Sequence, residues 1–228
     1  MDTEAQSPER DRSPGPPSGA GEGSRFLRFS RMKLKPLLAV TALLSLLLLV
    51  TTFVVQPFQI PSGSMEPTLQ VGDRVLVNKL AYRFGSEPLR GDVVVFDGED
   101  SFEHSGPASD YIKRVVGVGG DRVVCCDQRG RVRVNGQALD EEYIHPGDVP
   151  SQVPFDIVVP RGTLWVMGDH RSRSSDSRDH LGEPGGGMVP LDRVVGRADW
   201  IGWPSGRWGA IPSTSAFAAV RNPDGAHG

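Results

Sequence analysis

The run YIKRVVGVGGDRVVCC, residues 111–126, decides the fold class. Its halves, 111–118 and 122–126, are rich in β-branched residues, have the length of strands, and are separated by Gly119 and Gly120. The same pattern continues on both sides. Upstream, GDVVVF (91–96) is a short apolar run after a Gly-Asp turn, and DRVLVNKL (73–80) alternates, with Val75 and Val77 facing away from Arg74 and Leu76. Downstream come RVRVN (131–135), FDIVVP (155–160) and TLWVM (163–167), and Asn135-Gly136 is a hairpin turn signal. Gly and Pro punctuate the gaps, and no long amphipathic helix follows residue 56, so the reading is a mostly β domain rather than a helix–strand alternation. DGEDSFEHSGPASD (97–110) and GDHRSRSSDSRDHLGEPGGG (168–187) read as long loops, a class that is usually functional or mobile. No internal repeat is present.

Before the strands lies PLLAVTALLSLLLLVTTFVV (36–55), free of charge and of Gly. As a helix, its residues after Pro36 would cover roughly 28 Å, close to the hydrocarbon thickness of a bilayer. A cleavable secretory signal fits less well: the apolar run is longer, it starts about 35 residues into the chain, and no small-x-small site follows it. Arg25, Arg28, Arg31, Lys33 and Lys35 precede it, so the positive-inside rule predicts a single-pass protein of the cell membrane. Residues 1–35 would be cytoplasmic and the domain from 56 onward extracytoplasmic. The expected organisation is a tail at 1–35, disordered over its Ser-, Pro- and Gly-rich first 24 residues and basic beside the membrane, and a transmembrane helix at 36–55. A β domain follows at 56–212, and a flexible C-terminal tail at 213–228. AIPSTSAFAAV (210–220) is too short and too weakly apolar for a second span, and Trp203 and Trp208 just before it are core or interfacial aromatics.

Charge is segregated along the 228 residues, whose formal net charge is −3. Residues 1–24 carry −3 and residues 25–35 carry +5, which leaves −5 on the part beyond the apolar run. An acidic main domain argues against nucleic-acid binding, which needs a basic face. A composition of 38% hydrophobic and 23% charged residues, with two Cys, excludes collagen, coiled coils and disulfide-rich miniproteins. Cys125 and Cys126 are adjacent: they read as two small buried side chains in a strand, with a strained vicinal disulfide as the alternative. The five His show no zinc-ligand spacing, and neither metal nor cofactor is expected.

For chemistry, the segment leaving the apolar run offers Ser62 and Ser64 around Gly63, between Pro61 and Pro67. Such a stiff turn can hold a nucleophilic hydroxyl and a backbone N–H toward one point, although it can equally be a linker. A Ser nucleophile needs a base. No His stands in a convincing triad pattern, with His170 the one candidate. Of four Lys against twenty-one Arg, only Lys79 and Lys113 lie beyond the apolar run, and Arg stays protonated. Lys79 ends a strand. Lys113 is mid-strand, with Tyr111 and Val115 on its face, where desolvation would lower its pKa. A shift from about 10.4 to about 8 needs roughly 3.3 kcal/mol. The alternative is a snorkelling or salt-bridged strand Lys.

PSGSMEPTL (61–69), GDRVLVNK (72–79), RGDVVVF (90–96), YIKRVVGVGGD (111–121) and GDHRSRSSDSR (168–178), in this order behind an N-terminal anchor, resemble the boxes of bacterial type I signal peptidases. These are membrane-bound Ser/Lys proteases that remove signal peptides from exported preproteins. The resemblance covers residues 56 to about 200. The family's last box commonly reads GDNRxxSxDSR, so His170 stands in place of Asn. The resemblance implies a β-rich catalytic core with an inserted β subdomain at roughly 121–160. It implies Ser64 as nucleophile and Lys113 as general base, with the Ser64 N–H and the Ser62 hydroxyl as oxyanion donors. It further implies that the Ser174 hydroxyl orients the Lys ammonium and that Asp176 and Arg178 form a supporting ion pair. Cleavage would follow small-x-small motifs, with pockets that include Ile60. Ser64 lies nine residues beyond Val55, at most about 30 Å of chain, which keeps the site near the bilayer surface. An apolar rim over residues 53–58 would rest on lipid. A self-cleaving Ser/Lys regulator of the repressor type is a competing reading, but it requires a helix-turn-helix that the acidic first 24 residues do not supply. A non-enzymatic anchored β domain is the other.

Overall fold

The computed structural model describes residues 23–98, 102 and 110–222 of the chain. It divides into two units, one up to Leu47 and one from Leu48 onward. The first is helical. Helix α1 runs over Gly23–Phe53 and includes Pro36. Within it, Lys35–Phe53 is long and apolar enough to cross a membrane, and none of it is buried in the protein. The helix starts thirteen residues earlier than the expected boundary of 36: Leu, Arg, Met and Lys are good helix formers, and one lost hydrogen bond at Pro36 does not end it. The expected disorder over residues 1–24 falls outside the described residues except at Gly23 and Ser24, which are helical. The expected end at 55 is also corrected, because Val55 already pairs with Asn78 in a sheet.

The second unit is β-rich. Its strands are β1 (Val55–Gln59), β2 (Arg74–Asn78), β3 (Val93–Asp97), β4 (Asp110–Val118), β5 (Arg122–Cys125) and β6 (Arg133–Val134). They continue with β7 (Gln137–Ala138), β8 (Phe155–Val158), β9 (Thr163–Met167), β10 (Val189–Pro190), β11 (Val194–Trp203) and β12 (Gly209–Ala210). One sheet has the order β1-β2-β11-β3-β4-β9-β10, with β12 on β11; the other has the order β7-β6-β5-β8. The second sheet is built from residues 122–158, and the turn of its β6–β7 hairpin has Asn135 and Gly136 at φ 50° and 82°. All the strands that pair across β4 are antiparallel.

Besides the two-residue strands β7, β10 and β12, two longer strands are absent from the sequence reading. β1 contains Pro57 and directly continues the apolar run. β11 is the longest strand, yet Gly196, Arg197 and Asp199 break its alternation, and its pairing with β2 and β3 is shifted at several points. β3 and the second half of β4 are buried on both faces, so they appear as continuous apolar runs.

Three apolar clusters fill the unit. The first joins the two sheets through Val116, Val123, Phe155, Trp165 and Met167. The second packs Ile60, Met65 and Leu69 under Val75, Val77 and Ile201. The third holds Val94, Phe96, Phe102, Val115 and Val166. Phe102, from the stretch expected to be a long loop, sits edge-on to both Phe96 and Tyr111. The stretch from 213, expected to be a flexible tail, instead packs over its described part. Phe217 is buried against Tyr143, and the Thr214 hydroxyl donates to Glu142 at 2.8 Å. Cys125 and Cys126 are joined as a vicinal disulfide, the alternative to the two free buried thiols. Trp203 and Trp208 are exposed, and neither belongs to a core cluster.

Candidate active site

The nucleophile candidate sits on a closed excursion from the β1–β2 hairpin. Ile60 N donates to Asp73 O at 2.8 Å and Gly72 N to Ile60 O at 2.9 Å, which pins the base of the loop over residues 61–72. Met65 and Leu69, both fully buried, anchor one turn in the second cluster, and Leu69 N donates to Met65 O. Arg207 clamps the far side, donating to the Asp73 carboxylate at 3.0 Å and to Thr68 O at 3.0 Å. Ser64 is therefore held between a hairpin base and a buried apolar anchor. Ile60, expected to line a substrate pocket, is 2% exposed and packs in the second cluster.

Lys113 comes from the middle of β4, paired to Val94 of β3 in register. Strand alternation places it with Tyr111 and Val115, which share an apolar cluster with Val94. Its side chain is 4% exposed, and Nζ lies 3.0 Å from Ser64 Oγ. Burial lowers the Lys113 pKa from its ordinary value to about 8, the pull of Asp176 toward the charged form opposing that shift and Arg178 adding to it. Ser62 Oγ stands 3.4 Å from Ser64 Oγ, with Ser62 itself exposed.

The segment after β9 closes the site. Gly168 is a point of close approach: a Cβ there would lie 2.5 Å from Ser64 O and inside the Ser174 side chain. Asp176, fully buried, accepts the Gly168 N–H at 2.9 Å and is paired with Arg178 at 2.8 Å. Burial alone would raise the Asp176 pKa, but the hydrogen bonds and charge of Arg178 hold it below the usual carboxylate value. Arg178 also donates to Arg171 O at 2.9 Å, so the pair braces the loop. Ser174 is buried beside Asp176; its hydroxyl makes no well-aligned hydrogen bond among the described residues, and its approach to the Asp176 carboxylate helps to lower that group's pKa. His170 N donates to Ser64 O at 3.0 Å, and its ring nitrogen Nδ1 lies 3.1 Å from Gly63 O.

A buried network missing from the sequence reading ties these pieces together. Arg114, next to Lys113 and 1% exposed, forms a two-pronged pair with Asp169, at 2.8 and 2.6 Å. Thr68 donates to the same carboxylate at 2.5 Å, and the guanidinium lies 4.3 Å over the Tyr143 ring. One ion pair thus links β4, the nucleophile loop and the closing segment. Asp169 and Arg114 both stand inside motifs already quoted, directly beside candidate residues; burial alone separates them from solvated charges.

The arrangement offers a hydroxyl, an amine with lowered proton affinity within hydrogen-bond reach of it, and a second hydroxyl beside the reacting atom. That set is sufficient for base-assisted nucleophilic attack on a carbonyl.

The family model described as signal peptidase, peptidase S26, matches residues 33–203 of the chain. A signal peptidase I of Mycobacterium tuberculosis (strain H37Rv) is 39% identical over 223 residues, covering 78% of this chain and 75% of its own. A signal peptidase I of Pseudomonas aeruginosa is 34% identical over 221 residues, with 78% and 75% covered. Among solved structures, a signal peptidase I from Enterococcus faecalis is 27% identical over 49% of this chain and 96% of its own, with a TM-score of 0.37.

Proposed function

This chain belongs to the signal peptidase family, peptidase S26, whose members are serine proteases that cleave signal peptides, and from that premise we propose that it cuts with Ser64 as nucleophile and Lys113 as general base. The observation that carries this reading is the 3.0 Å approach of Lys113 Nζ to Ser64 Oγ inside a buried site. Neutral Lys113 takes the Ser64 proton as Oγ attacks the scissile carbonyl carbon. The Ser64 N–H and the Ser62 hydroxyl donate to the oxyanion, at about 3–4 kcal/mol per donor in comparable sites. The Lys113 ammonium then protonates the leaving amine, and the C–N bond breaks. In the second half, Lys113 deprotonates a water, which displaces Ser64 from the acyl group and releases the new carboxyl terminus.

Ser174 acts as the hydroxyl that receives and orients the Lys113 ammonium. Its buried Oγ, without a well-aligned hydrogen bond among the described residues, supports this role by leaving a lone pair free for the charged form. Asp176 and Arg178 brace the loop that carries it. The substrates are exported preproteins cut after small-x-small motifs. The apolar helix crosses the bilayer with its basic flank in the cytoplasm, and the β domain works outside, close to the lipid surface.

The full chain in detergent or liposomes, given a preprotein with Ala-x-Ala before the cut, tests the reading. Ser64→Ala and Lys113→Ala each abolish cleavage to within background, and sequencing of the product places its new N-terminus after that motif. Undiminished cutting by either variant rejects the mechanism.

A further inference from the structure

A second cluster of chemistry-bearing side chains lies directly behind the nucleophile, and the peptidase steps leave it unused. Glu66, His145 and His170 come from three separate segments. One donor atom from each lies within 4.8 Å of the others. The two imidazoles stack in parallel, 3.9 Å between centroids with 3° between planes. Glu66 Oε2 is 3.6 Å from His170 Nδ1.

Two donors bound at about 2.0–2.1 Å around a tetrahedral zinc stand roughly 3.3 Å apart. The Glu66–His170 separation therefore closes by a few tenths of an ångström and His145 by at most about 1.5 Å, and because each imidazole lone pair lies in its ring plane, the half-buried His145 ring must also turn out of the stack about its χ angles to share the ion. Two neutral imidazoles and a carboxylate, with water as fourth ligand, form a donor set suited to zinc and poor for magnesium. Glu66 is 29% exposed and His145 half-buried, so an ion can enter from that side.

We propose that Glu66, His145 and His170 bind a divalent transition-metal ion, zinc foremost, and that its occupation inhibits cleavage. The second half rests on the peptidase reading above; the first does not. The coupling follows from where the ligands stand. Carbonyl oxygens only accept, so the 3.1 Å contact of His170 Nδ1 with Gly63 O requires the proton on Nδ1. Gly63 C=O and Ser64 N–H are opposite ends of one rigid peptide unit, and that N–H is the oxyanion donor. An ion between Glu66 and His170 Nδ1 displaces this proton and frees the carbonyl end of the unit. Glu66 also packs on Gly63, where an added Cβ would meet its carboxylate at 3.0–3.1 Å, so a shift of Glu66 toward the ion moves the same backbone. The ion disorders the oxyanion donor and lowers turnover.

The test uses the full chain in detergent, stripped with a chelator, then titrated with zinc by calorimetry and with cobalt(II) by visible absorption. One ion per chain and the absorption bands of tetrahedral cobalt are expected. His145→Ala and His170→Asn each weaken zinc binding by roughly 100-fold or more, since even outer-shell losses reach 10–100-fold. In parallel, the ratio of turnover without and with zinc is measured. It is at least about tenfold in the unaltered chain, near one in both variants, and near one with magnesium throughout. Absence of stoichiometric binding, or equal affinity in the unaltered chain and both variants, overturns the site. Binding with no change in turnover overturns the coupling. A metal-free chain that cleaves no preprotein counts against the peptidase reading, and the titrations still decide the site.

Discussion

Lys113 Nζ and Ser64 Oγ meet at 3.0 Å across a gap that no sequence motif spans: one side chain leaves the middle of a paired strand, the other a loop held to the core by Met65 and Leu69. The pairing sets the pH behaviour. With Lys113 lowered to about 8, the amine is protonated below that pH and cannot take the Ser64 proton. kcat/KM on a preprotein should fall about tenfold per unit below pH 8 and level off above it, in initial-rate measurements from pH 5.5 to 9.5.

Burial of Lys113 also carries a stability consequence of definite sign. The unfolded chain holds this proton up to about pH 10.5 and the folded chain only to about 8, so this group destabilises the fold most below pH 8 and the penalty fades as pH rises between the two values. Lys113→Met at pH 7 should therefore gain stability, on the order of 3 kcal/mol at most, while losing activity. A higher thermal midpoint in detergent, with the gain shrinking toward pH 10, is the expected result.

Gly168→Ala should damage both fold and catalysis. Its Cβ would lie 2.5 Å from Ser64 O and would overlap Ser174, and neither neighbour is the free end of a flexible chain. A loss of about 1–3 kcal/mol in stability, with turnover reduced more than KM changes, is expected from thermal scans and steady-state kinetics.

Arg114→Met leaves the fully buried Asp169 carboxylate with only neutral partners. Removing one partner of a buried pair costs about 3–5 kcal/mol, so this variant should be the least stable of the set. Denaturant unfolding of the detergent-solubilised chain measures it.

Ser174→Ala separates orientation of the ammonium from packing. The hydroxyl makes no well-aligned hydrogen bond and only a weak approach to Asp176, so stability should change by no more than about 1 kcal/mol, whereas turnover should fall by one to two orders of magnitude if Ser174 receives the Lys113 ammonium. Unchanged turnover would remove it from the mechanism.

The legible part of the fold was what local patterns encode. Strands β2 to β6, β8 and β9 announce themselves through Val-rich runs, and Asn135-Gly136 through its turn chemistry. Strand β11 was not legible, because its alternation is broken by Gly196 and by residues that satisfy a shifted register with two different neighbours. Phe217 looked like part of a tail because a single aromatic in a weakly apolar stretch says nothing of what it packs on. At the site, the residues alone offered the Ser62–Ser64 turn and two Lys as candidates, and the resemblance singled out Ser64 and Lys113. The Arg114–Asp169 pair could not, since charged residues are written identically whether buried or solvated. The Glu66–His145–His170 cluster was equally hidden: its members are spread over more than a hundred positions and have no metal-ligand spacing.

The protonation of an amine acting on Ser64 is open to direct reading because the chain has only four Lys. Lysine labelled with carbon-13 at Cε gives at most four signals to follow by NMR across pH 6 to 12. One signal should titrate near pH 8, vanish in Lys113→Arg, and share its midpoint with the kinetic limb. Absence of any signal with a midpoint near pH 8, or a kinetic limb well away from the shifted one, would contradict Lys113 as the base.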